Sequence, residues 1–145
     1  MCGIVGIYLK TKKFENNLGK MLSGMLNNME SRGPDSAGFA IYKNSDKKEY
    51  KYSLCINNLD FTKFKKDISK KIRNLKLNQY SDHIIVKTPE IPKKFIKFIN
   101  KEFPEVSIVG YGRSIEIFKQ VGNPKDVVKK FNLESFSGTH GIGHT

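Results

Sequence analysis

Cys2 directly follows Met1 and opens the run Met1-Cys2-Gly3-Ile4-Val5-Gly6-Ile7. A small residue at position 2, followed by glycine, suits removal of the initiator methionine. Removal would leave a thiol and a free α-amine on one residue. An α-amine ordinarily titrates at roughly 7.7–8.0 and a thiol at roughly 8.5. The amine can then take the proton of its own thiol near neutral pH, directly or through a water. This is the logic of a nucleophile activated by an N-terminal amine, and the thiolate is the reactive species. Taken alone, Cys2 fits better as a small apolar residue opening a buried strand, because free cysteine is often simply buried.

Two further segments change that weighting. One is Ser31-Arg32-Gly33-Pro34-Asp35-Ser36-Ala37-Gly38; the other is Gly138-Thr139-His140-Gly141-Ile142-Gly143-His144-Thr145. Other candidates carry less. His140 and His144 share a spacing with some zinc-binding pairs, but Gly141 and Gly143 argue against a helix there. No third or fourth ligand stands near them in the sequence, so no metal site is expected. Cys2 and Cys55 have neither metal-ligand spacing nor the numbers for a disulfide framework. Cys55 is expected to be buried and inert, and His83 structural. Gly110-x-Gly112 lacks the third glycine and following helix of a dinucleotide fingerprint.

The three motifs, in this order and with the first fixed at position 2, resemble the class II, N-terminal-nucleophile glutamine amidotransferases. The long stretch between the second and third motifs is similar to the stand-alone amidotransferase subunits of glutamate synthase-like and N-methylglutamate synthase-like systems. The resemblance implies the αββα sandwich of N-terminal-nucleophile hydrolases. It implies that Cys2 attacks the side-chain amide of glutamine, with its α-amine moving the proton. Arg32 and Gly33 would lie beside the nucleophile, the Gly33 carbonyl accepting from the amine. Asp35 and Ser36 would brace the loop, and His144 and Thr145 close the third motif. The ammonia would pass to a synthase partner. Flavin and iron–sulfur groups belong to that partner, and no cofactor is expected in this chain.

The departure from the pattern is equally definite. In the family an Arg follows Gly-Ile-Gly-His-Thr and holds the substrate carboxylate. An Asn-Gly pair and an Asp then supply the oxyanion hole and the amine clamp. The sequence given stops at Thr145. The expectation is therefore the N-terminal part of such a domain, inactive alone and complete only with a C-terminal half. The competing readings are a non-catalytic binding or regulatory module that kept the fold, and a basic nucleic-acid-binding domain.

Composition bounds these readings. The 145 residues suffice for one domain with a real core. Lys and Arg number 26 against 14 Asp and Glu, a net charge of +12. Such a balance suits anionic partners, but arginine, the usual bidentate reader of bases, occurs only at positions 32, 73 and 113. The lysine clusters at 63–66, 70–71 and 93–94 read as solvated helix faces. The apolar run from Cys2 to Leu9 is too short to span a membrane and lacks a basic flank. A reducing cytoplasm is the expected location.

The elements that must position the motifs follow from periodicity. Gly3–Leu9 reads as a buried strand. Phe14, Leu18, Met21, Leu22, Met25, Leu26 and Met29 share one helical face, ended by Gly33 and Pro34. Ser36–Tyr42 reads as a second strand, so the Arg32–Asp35 loop lies at one end of a sheet. Then come a polar turn at 44–49, a strand at 50–56, a helix at 61–75, a strand at 83–88 and a helix at 92–103. Val106–Gly110 and Ser114–Val121 read as a strand pair around Gly110-Tyr111-Gly112. A short helix opens at Asn123-Pro124, and 137–145 ends in the beginning of a strand. The class is α/β (α+β), with 1–145 a partial amidotransferase domain and 44–136 an α/β insertion within it.

Overall fold

The computed structural model describes residues 2–44 and 47–145; Met1, Ser45 and Asp46 lie outside the described residues. The chain mixes helices with two four-stranded sheets, an α/β fold. It divides into two compact units, Met1–Asn44 with Ile117–Thr145, and Ser45–Glu116. The expected insertion over 44–136 thus meets a unit ending at 116. Residues 117–136 pack with the first unit instead.

In the first unit, β1 (Ile4–Tyr8), β2 (Ser36–Tyr42), β8 (His140–His144) and β7 (Ile115–Val121), which belongs to this unit from Ile117 onward, form a sheet in the order β1-β8-β2-β7. The last strand occupies the interior. It is antiparallel to β1, with Ile4 opposite His144, and to β2, with Gly38 opposite His144. Helices α1 (Leu18–Asn27) and α4 (Pro124–Phe131) belong to this unit. Leu18, Leu22 and Leu26 are fully buried, one stripe at i, i+4 and i+8. Phe39 stacks on Phe118 at 4.9 Å between ring centroids, with Phe131 and Phe136 edge-on. Such pairs add roughly 0.5–1.5 kcal/mol each beyond area burial. Asn123 caps α4, its Oδ1 accepting from the Asp126 N–H at 3.0 Å. Asn132 ends it in the left-handed region at φ 50°.

Two expectations for this unit change. The helix read over 14–29 is a 3-10 turn at Lys12–Asn17, then α1, then a second 3-10 turn at Glu30–Arg32. The apolar face is continuous across these pieces, and periodicity alone cannot tell them apart. The first strand is not buried. β1 is an edge strand, with Ile4 76% and Tyr8 72% exposed, because the helices of this unit cover only one face of the sheet.

The second unit runs β3 (Tyr50–Cys55), α2 (Phe61–Lys71), β4 (Lys76–Tyr80), β5 (His83–Thr88), α3 (Pro92–Glu102) and β6 (Ser107–Gly112). Its sheet order is β4-β5-β3-β6, all antiparallel. This is a βαββαβ arrangement, a split βαβ motif. Tyr52, Leu54, Ile84 and Val86 pack with Phe64, Ile68, Phe95 and Ile99 in its core. The strand pair expected around Gly110-Tyr111-Gly112 is not one: β6 and β7 join different sheets. The helix expected to reach 75 ends at Lys71, and β4 follows where no strand was expected. Lys51 and Glu116 form a buried ion pair at 3.0 Å. Burial, and secondarily the Glu116 carboxylate, push the Tyr80 hydroxyl above the usual phenol range. Among the described residues, no helix is long and apolar enough to cross a membrane.

Candidate functional site

The β1–β8 register brings the ends of the three motifs together. Beyond the Ile4–His144 pair, the Gly3 N–H donates to both the Thr145 carbonyl at 3.3 Å and the Thr145 Oγ1 at 3.2 Å. The Thr145 N–H returns a bond to the Gly3 carbonyl at 2.9 Å. The first and third motifs, 142 positions apart, are therefore hydrogen-bonded neighbours.

The second motif closes on the same point. A β-carbon on Gly3 would lie 3.6 Å from the Arg32 Cβ and would collide with the Met29 methyl. A β-carbon on Gly33 would lie 2.7 Å from Thr145 Oγ1 and 2.9 Å from its carbonyl carbon. Only glycine permits that approach. The 3-10 turn ending at Arg32 is held by the Arg32 N–H donating to the Met29 carbonyl at 3.0 Å. Cys2, Arg32, Asp35 and Ser36 are exposed, and Thr145 is buried beneath them in the backbone pairing. Cys2 is a free, exposed thiol immediately before Gly3.

The rest of the motif residues divide into scaffold and rim. Asp35 accepts the Gly122 N–H on its carbonyl at 2.9 Å, which ties the loop to the turn after β7. Ser36, Lys119, Gln120, Val121 and His144 line a shallow depression of about 340 Å³. Gly38 lets the His144 ring close over the sheet, since a β-carbon there would sit 2.9 Å from Nε2. Gly141 and Gly143 point the other way, toward α1: β-carbons would meet Leu22 at 2.9 Å and Leu26 at 3.1 Å. Those two glycines therefore serve helix packing. His140 and His144 lie four residues apart on one strand, about 13 Å of extended backbone. His140 stacks on Tyr42 with centroids 4.1 Å apart and approaches the Thr139 hydroxyl at 2.9 Å.

One feature of the site had no sequence signal. Register alone places Ile4, Tyr8 and Ile142 on the sheet face away from α1, and strand alternation from buried Phe118 adds Val121. All four are exposed. The arrangement as a whole presents an exposed thiol one residue before a glycine-lined backbone junction, with the Arg32 backbone turn packed against that junction.

No family model matches the chain. Over its whole length it is 39% identical to the glutamine amidotransferase-like protein GlxB of Rhizobium meliloti, of which it covers 49%. It is 30% identical over its whole length to a Methanothermobacter thermautotrophicus protein whose name carries the words glutamine amidotransferase, covering 51% of it. The chain thus spans about half the length of these curated relatives. Both relatives carry the words glutamine amidotransferase in their names.

Proposed function

We propose that this chain carries the nucleophile of a class II glutamine amidotransferase and performs the glutaminase half-reaction for an ammonia-accepting partner. The observation that carries the reading is the junction at Gly3, Gly33 and Thr145, where three distant segments converge beside an exposed Cys2. The relatives' names support the same direction.

In this reading the α-amine of Cys2 takes the thiol proton and the thiolate attacks the glutamine side-chain carbonyl. The amine returns that proton to the leaving nitrogen, and ammonia departs as the thioester forms. Water then hydrolyses the thioester to glutamate and restores the thiol. Arg32 supplies positive charge near the entering amino acid, and the Gly33 carbonyl orients the amine. Asp35, Ser36, His144 and Thr145 hold the frame. The oxyanion donors and the clamps on the substrate's α-carboxylate and α-amine belong, in this proposal, to the half of the relatives that the chain does not span. Losing a single oxyanion donor typically costs about 10²–10³ in rate, so turnover depends on that half. A flavin- and iron–sulfur-bearing synthase is the proposed acceptor subunit.

The test is covalent capture with an electrophilic glutamine analogue, read by mass spectrometry. One adduct at Cys2, protected by glutamine in a protein that includes the remaining half, is expected. Cys2→Ala should abolish it. Preferential capture at Cys55, or no protection of Cys2 by glutamine in the protein that includes the remaining half, would sink the reading and favour a non-catalytic module.

A further inference from the structure

We propose that Cys55, Asp82 and His83 form a binding site for a divalent, borderline-soft metal ion of the zinc type in the second unit. One ligand atom from each of the three residues lies within 4.8 Å of the other two. Nothing in their sequence positions shows this, since Cys55 and Asp82 are 27 positions apart. Strand register does it. Cys55 on β3 and His83 on β5 are direct antiparallel partners, so their side chains leave the same face of the sheet. Asp82 is fixed beside them: its carbonyl accepts the Ile56 N–H at 2.8 Å. Its Oδ1 lies 2.9 Å from the His83 Nδ1.

The donor set is chemically coherent. Thiolate, imidazole and carboxylate all bind zinc, at roughly 2.0–2.3 Å. Tetrahedral ligands at those lengths stand roughly 3.3–3.8 Å apart, so donor atoms within 4.8 Å of one another already lie near the spacing an ion requires. His83 is 1% exposed, whereas the Asp82 side chain is 23% exposed and Cys55 is partly exposed. The site therefore has a buried inner side at His83 and a partly exposed outer side at Asp82 and Cys55 through which an ion can enter. Three protein ligands leave a fourth position. Asn57 Oδ1, which accepts from the Cys55 thiol at 3.2 Å, is the protein candidate for it; a water is the alternative ligand. The ion would join the ends of β3 and β5 and stabilise the unit by mass action.

Cobalt(II) titration of the whole chain tests this, because a cobalt–thiolate bond gives a near-ultraviolet charge-transfer band that imidazole and carboxylate do not. The titration is run in a Cys2→Ala background, since a terminal thiol and amine would chelate on their own. One equivalent of cobalt should produce the band, and zinc should displace it. Cys55→Ser should remove the band, and Asp82→Asn and His83→Gln should weaken binding by about 10-fold or more. If the buried His83→Gln chain fails to fold by circular dichroism, the partly exposed Cys55 and Asp82 variants decide. No saturable band, or metal binding unaffected by Cys55→Ser, would overturn the proposal.

Discussion

Gly33 and Thr145 are separated by 112 positions, yet a β-carbon on the first would lie within 2.8 Å of the side-chain Oγ1 and Cβ of the second. The Thr145 Oγ1 is also an acceptor for the Gly3 N–H, so pressure on one contact strains the other. Gly33→Ala should cost about 1–3 kcal/mol, the usual range for overpacking. Gly24→Ala is the matched control. Nothing lies within 4 Å of a β-carbon there, and the helix interior should gain roughly 0.5–1 kcal/mol. Urea midpoints measured at unchanged slope distinguish the two. Equal midpoints would show that the three motifs are not packed as described.

The open face of the first sheet makes a separate prediction. Ile4, Tyr8 and Val121 are each more than 70% exposed, and Ile142 on the interior strand is 43% exposed. Contiguous apolar patches beyond a few hundred Å² mark association sites. Sedimentation velocity should therefore show the weight-average mass rising with protein concentration despite the +12 charge. Ile142→Lys should return the chain to monomer. A monomer at all concentrations in both forms would remove the face as an association surface.

Much of this arrangement is legible in the sequence, and the failures have physical causes. Ser36–Tyr42 and His83–Thr88 alternate or run apolar in short, β-branched stretches, and both are strands with the expected bounds. Asn123-Pro124 pairs a capping side chain with a proline at the first helical position, and the helix begins there. Burial is less legible. Ile4, Val5 and Ile7 look like an interior strand, but which strand lies inside depends on where residues 140–144 insert. Pairing partners are equally hidden: the glycines at 110 and 112 suggest a turn between partners, whereas the flanking strands belong to separate sheets. Cys55 and His83 show the same limit, because their chemistry is created by register and not by spacing.

Lys51 and Glu116 provide a third prediction. Their side chains are 8% and 2% exposed, with Nζ and Oε1 3.0 Å apart. Glu116→Gln leaves the buried ammonium without this carboxylate. Breaking a buried pair from one side costs roughly 3–5 kcal/mol, whereas a well-packed apolar replacement of both partners is often neutral. The Lys51→Met/Glu116→Leu double variant should therefore melt well above the single Glu116→Gln chain. Calorimetry of the three chains checks it. A double variant as unstable as the single one would show that the pair does not act as a unit.

The last prediction concerns the amine on Cys2. The proposed mechanism needs thiol and α-amine on the same residue, and Cys2 is exposed to reagents. A 1,2-aminothiol condenses with an aldehyde: carbon bonds to both nitrogen and sulfur, water leaves, and a thiazolidine ring forms. Cys55 cannot do this, because its nitrogen is a peptide amide. An aldehyde probe should add once per chain, with the mass of the aldehyde less one water, and peptide mapping should place it at Cys2. Cys2→Ala should abolish the adduct, while Cys55→Ser should leave it unchanged. Ordinary thiol alkylation of Cys2 without thiazolidine formation would mean that Met1 is retained. The amine would then belong to the wrong residue, and Cys2 would have no base of its own.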